Sequence, residues 1–223
     1  MGGAPVPSWR MSLWSVVKRL FVPEPIATRD ELKEFLESRA AFLVQKSIME
    51  YVQARSNMMF STLLSEPAFL AAYEEARWAS YPAAFSMVAE MADGMIRPEA
   101  ASTLDLHAAL VGLGREVFAG FPLPQGQGRR FWSEAAEMLD RDLGAAGLGP
   151  PKPVHEIALA RAREIFDHLP VHETLRRHDF TIFRNTLRFH MTEIGTEFSE
   201  RGDMKALANA LTQRPLRKTH DQA

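Results

Sequence analysis

The sequence predicts an all-α fold, a single-domain multi-helix bundle or array of about eight to nine helices, and three observations lead there. Apolar residues recur at steps of three and four along most of the 223 residues, which is the period of an amphipathic helix. No segment sustains the apolar/polar alternation of a half-buried strand. Glycine and proline gather between the periodic stretches, where a helix must end.

The first stretch, residues 8–21, belongs to an N-terminal extension over residues 1–27 and is closed by Pro23 and Pro25. As a helix it places Trp9, Leu13, Val16, Val17 and Leu20 on one side with Trp14 and Phe21 beside them, and it carries Arg10, Lys18 and Arg19. No acidic residue precedes Glu24. Indole rings and basic side chains together suit an anionic membrane surface, and the same helix suits an acidic groove on a protein partner or the protein's own core. Trp9, Leu13, Trp14, Val17, Lys18, Arg19 and Phe21 are the expected contact residues.

The helical domain is expected over residues 28–213. Thr28-Arg-Asp-Glu31 has the spacing of a capping box, and Leu32, Phe35, Leu36, Phe42, Leu43, Met49 and Val52 then mark a long helix over 28–64. Ser65-Glu-Pro67 restarts the chain, since proline is tolerated in a first helical turn. Tyr81-Pro82 predicts a break or sharp kink, followed by a helix to about Gly94. Pro98 restarts it again, and Leu104, His107, Leu110, Val111, Leu113, Val117 and Phe118 form the next apolar face, ending near Gly120.

Loops are expected at residues 121–128 and 144–153, with a short helix from Arg129 to Leu143 between them. A helix at about 154–168 and a longer one from Pro170 to about Arg201 follow. In the latter, Phe180, Phe183, Leu187, Met191, Ile194 and Phe198 make a stripe that suits a partner helix in this chain or in a homodimer. A last helix spans about 203–212, and residues 214–223 form a basic tail.

Composition excludes several functions. A share of 46% hydrophobic and 24% charged residues is that of a folded globular protein, not of a disordered or membrane-spanning one. Lys and Arg total 26 against 28 Asp and Glu, a net charge of -2, so nucleic acid is not an expected partner. Zero cysteines remove thiolate nucleophiles, disulfides and cysteine metal sites. No apolar run approaches the roughly 20 residues of a membrane span, and Lys18 and Arg19 spoil a secretory signal. The expected location is the cytoplasm, with a place on the inner face of a membrane if residues 9–21 bind lipid.

No nucleophile elbow, phosphate-binding glycine loop or dinucleotide fingerprint is present. His155-Glu156 and His172-Glu173 lack the second histidine of a zinc-protease helix, so neither metal nor cofactor is expected. The second half does concentrate His155, His168, His172, His178 and His190 near Glu164, Asp167, Asp179 and Glu193, and Arg176-Arg177-His178-Asp179 could form an anion site at a helix start. Methionines concentrate in the first half, where Met58, Met87 and Met91 with His107 and His190 are candidates for a ligand pocket. Polar groups for such a pocket would come from Glu50, His107, His168, His178 and His190. Two functions follow: a non-catalytic interaction protein working through residues 9–21, or a helical enzyme or hydrophobic-ligand carrier with an internal Met/His-lined pocket.

Overall fold

The computed structural model describes residues 24–56 and 59–212. Among these residues there are nine α-helices and no strand: α1 (Arg29–Ser56), α2 (Phe60–Leu63), α3 (Pro67–Ile96), α4 (Thr103–Gly120), α5 (Phe131–Gly147), α6 (Val154–Asp167), α7 (Glu173–Arg176), α8 (Phe180–Arg201) and α9 (Met204–Thr212). The residues expected to form the N-terminal helix, the basic tail and Met58 lie outside the described residues. No helix among the described residues is long and apolar enough to cross a membrane.

The start of α1 follows its capping box. Glu31 accepts from the Ala27 and Thr28 amides, both at 2.9 Å, and the Glu31 amide donates to Thr28 Oγ1 at 3.3 Å. The hydrogen bonds from the Ala27 amide and from Thr28 hold the Glu31 carboxyl below its ordinary range. A carboxyl depressed in the folded state adds stability above its unfolded value of about 4.3 and loses it as pH falls through the lower folded value. Glu31→Gln should therefore lower the urea midpoint at pH 6 and shrink its gap from the parent chain towards pH 2.5.

Centrally placed, α3 packs against α1, α4, α5, α6 and α8. Every residue from Ser80 to Asp93 is buried, as expected of a helix enclosed on all sides. This enclosure explains why α3 runs unbroken through Pro82, where the sequence predicts a break. A proline inside a helix costs about 3 kcal/mol, and the burial of Tyr81, Ala83, Ala84, Phe85, Met87 and Val88 around it outweighs that.

The buried half of α3 also carries Ser86, Glu90 and Asp93, each matched from outside. Ser86 Oγ donates to Asp142 at 2.5 Å, and Asp142 receives the Arg161 guanidinium at 2.5 and 3.0 Å. Lys152 Nζ donates to Glu90 at 2.7 Å. Arg97 pairs with Asp93 and donates to the Ala146 and Gly149 carbonyls at 3.1 and 3.0 Å, satisfying the end of α5. Where α4 crosses α5 the backbone comes close at Gly114. A side-chain carbon there would overlap Leu139 and meet Phe85 Cε1 at 3.2 Å.

One helix is shorter than the sequence predicts: α8 starts at Phe180 rather than Pro170, because the intervening residues form the short turn of α7. The apolar stripe of α8 is used within the chain, with Phe183, Leu187, Met191, Ile194 and Phe198 all buried against α6 and α1. Beside them, Ile26 bridges in parallel to Gly202: its amide donates to Arg201 O at 2.8 Å, and its carbonyl accepts from the Asp203 amide at 2.9 Å.

Candidate functional site

A groove of about 450 Å³ opens between α1 and α3, beside the end of α4. From α1 it takes Asp30, Lys33, Glu34, Glu37, Ser38 and Ala41, which sit at steps of three and four and so line one helical face. At a rise of about 1.5 Å per residue that face is roughly 17 Å long. Trp78, Tyr81 and Phe121 form the aromatic floor, with Arg77 at its edge.

Packing beneath holds the floor rigid. The Trp78 ring centre lies 5.3 Å from that of Phe121 and 5.9 Å from that of Trp132, and Tyr81 stands 5.4 Å from Phe121. Trp132 Nε1 donates to the Pro122 carbonyl at 3.1 Å, fixing the turn that carries Phe121. Tyr81 is 3% exposed, and its hydroxyl has only a long 3.5 Å contact with the Glu37 carbonyl. Burial, with the Glu37 charge adding to it, pushes the Tyr81 phenol well above its ordinary pKa. The group therefore stays a neutral hydroxyl at the base of the groove.

The rim is acidic in effect. Lys33 faces Glu116 at 3.8 Å and Arg77 pairs with Glu74 at 2.7 Å, both acids lying outside the groove. The Arg77 guanidinium also sits 4.8 Å over the Trp78 ring. Among the described residues, Asp30, Glu34 and Glu37 have no cationic partner within 4.0 Å. Three carboxylates thus border an apolar floor, which suits a ligand with a hydrophobic body and positive charge at its margin.

The sequence-predicted pocket residues lie elsewhere. Met87 and Met91 are 1% exposed within the core, and His107 is on the far end of α4, 2.7 Å from Asp140. His190 is enclosed between Glu50 Oε2 at 2.7 Å and Glu193 Oε2 at 3.0 Å, beside the rings of Phe42 and Phe189. Burial pushes the Glu50 carboxyl up, but hydrogen bonds from Lys46 and His190 outweigh it and hold the group below its ordinary range. Of the polar groups drawn from the sequence for a pocket, only Glu50 and His190 meet.

The remaining histidines stay apart, and no group of three or more His, Asp or Glu side chains among the described residues is placed to hold a metal ion. Glu164 pairs with Arg161 at 2.9 Å instead of with His168. The polar run before α8 serves the fold. Arg176 donates to the carbonyls of Phe166, Asp167 and Val171, satisfying the C-terminal end of α6. Asp179 is buried and accepts from Tyr51 Oη at 2.7 Å and Arg55 at 2.5 Å.

Sequence reasoning missed the groove, although its acids were visible as Asp30, Glu34 and Glu37. The available signal was their shared helical face, which the charges of a solvated helix start also produce. No protein family, curated protein or solved structure matches this chain.

Proposed function

We propose that this protein is a non-catalytic helical interaction protein that takes an amphipathic, cationic helical segment into the groove between α1 and α3. The observation that carries the reading is the combination of a rigid aromatic floor with three carboxylates that lack a cationic partner among the described residues. Apolar side chains of the bound segment cover Trp78, Tyr81 and Phe121, and its basic residues meet Asp30, Glu34 and Glu37. A groove about three turns long fits a short helix lying along α1. On this reading the protein is an adaptor or regulator that acts in the cytoplasm or at the inner face of a membrane.

The test is a calorimetric titration with a synthetic 14-residue amphipathic helix of Leu, Trp and Lys. The full chain is used with Trp9→Ser, Trp14→Ser, Lys18→Glu and Arg19→Glu, so that its own cationic aromatic segment cannot compete. Saturable one-to-one binding is expected, weakened about tenfold or more, at least ~1.4 kcal/mol, by Glu34→Lys with Glu37→Lys, and weakened by added salt. Absence of binding, or an affinity indifferent to the charge reversal, would overturn the reading.

A further inference from the structure

We propose that the chain's own residues 9–21 occupy this groove, so that the protein covers its binding site until a competing segment displaces them. The inference rests on the reading of the groove given above and identifies its first occupant.

Charge is the first argument. The segment carries Arg10, Lys18 and Arg19 with no acid, whereas the rim presents Asp30, Glu34 and Glu37. Apolar matching is the second. The spacing of Trp9, Leu13, Val17 and Leu20 would put them on one side of a helix, with Trp14 and Phe21 beside them, and the floor of the groove is Trp78, Tyr81 and Phe121. Length agrees as well, since a 13-residue helix measures about 20 Å against the roughly 17 Å groove face of α1.

Tethering supplies the fourth argument. The described chain begins at Glu24, and Glu24, Pro25 and Ile26 line a second hollow of about 470 Å³ on the other side of α1. Glu34 and Ser38 line both hollows and form the ridge between them. Phe21 is three residues from Glu24, a reach of about 10 Å when extended, comparable with the diameter of one helix. The segment needs only to cross that ridge. A short tether gives an effective concentration of order 1 mM, so even an intrinsic Kd near 100 μM leaves the groove roughly nine-tenths filled.

The experiment compares full chains. The synthetic helix should bind the parent chain at least about tenfold more weakly than the chain carrying Trp9→Ser, Trp14→Ser, Lys18→Glu and Arg19→Glu. Equal affinity for the two chains would overturn the inference and leave the groove reading standing, whereas binding to neither would overturn the groove reading itself.

Because the chain has no cysteine, Ser12→Cys with Ser38→Cys provides an independent geometric readout. With oxidised glutathione, an intramolecular disulfide should form, and Glu34→Lys with Glu37→Lys should slow it about tenfold. A rate unaffected by that reversal would count against docking. Anionic vesicles supply the last arm. Glu34→Lys with Glu37→Lys should strengthen vesicle binding by releasing the segment, and unchanged vesicle binding would assign residues 9–21 to the membrane surface alone.

Discussion

Phe85→Ala is expected to lower the unfolding free energy by about 4 kcal/mol and Tm by roughly 8 to 16 °C for a chain of this length. Phe85 is fully buried in α3, with its ring 5.0 Å from Phe118 and 6.2 Å from Tyr81. The site collapses poorly, because α4 already approaches closely at Gly114, with Leu139 beside it. Cavity cost therefore adds to lost transfer energy. Phe85→Leu retains most of the volume and should cost roughly 1 kcal/mol. Since Tyr81 rests on Phe85, the alanine variant should also weaken binding of the synthetic helix. A urea titration gives the stabilities, and a loss under about 1 kcal/mol for the alanine variant would contradict the packing described.

Asp179→Ala is expected to cost about 2 to 3 kcal/mol, although the ion pair it removes contributes only part of that. Arg55 is about half exposed and keeps the Leu175 carbonyl at 2.6 Å, so solvent screens much of its attraction to Asp179. The larger loss is at Tyr51, whose hydroxyl donates to Asp179 at 2.7 Å while its ring is edged by Phe166 and Phe183. Burial, together with the hydrogen bond to Asp179, holds this phenol above its ordinary pKa. Without the carboxylate the buried hydroxyl has no acceptor. Asp179→Asn retains an acceptor and should recover about half of the loss. Tyr51→Phe in the alanine background should restore stability as well, because it removes the unsatisfied group. No rescue by Tyr51→Phe would place the cost elsewhere.

Much of the helical order was legible because it depends on local chemistry. Thr28 and Glu31 satisfy neighbouring backbone groups, Pro67 opens α3, and the period from Phe183 to Phe198 describes one buried face. Pro82 was misleading for a non-local reason: packing on every side of α3 outweighs the local penalty. The site was less legible still. Its floor joins Trp78 and Tyr81 of α3 with Phe121 beyond α4, and its rim comes from α1, so no spacing in the sequence records their proximity. The pairing of His190 with Glu50 has the same character, since 140 residues separate them.

The bridge between Ile26 and Gly202 has a consequence for how the molecule is made. α1 emerges from the ribosome before α8, yet it packs against α8 and is pinned beside Ile26 only once residue 202 is available. At 5–20 residues per second, roughly 9 to 35 s separate synthesis of the two partners. During that interval the apolar face of α1, including Leu32, Phe35 and Leu36, lacks its final cover. Productive folding is therefore expected to finish late, and C-terminal truncations ending before α8 should accumulate as chaperone-bound or aggregated chains.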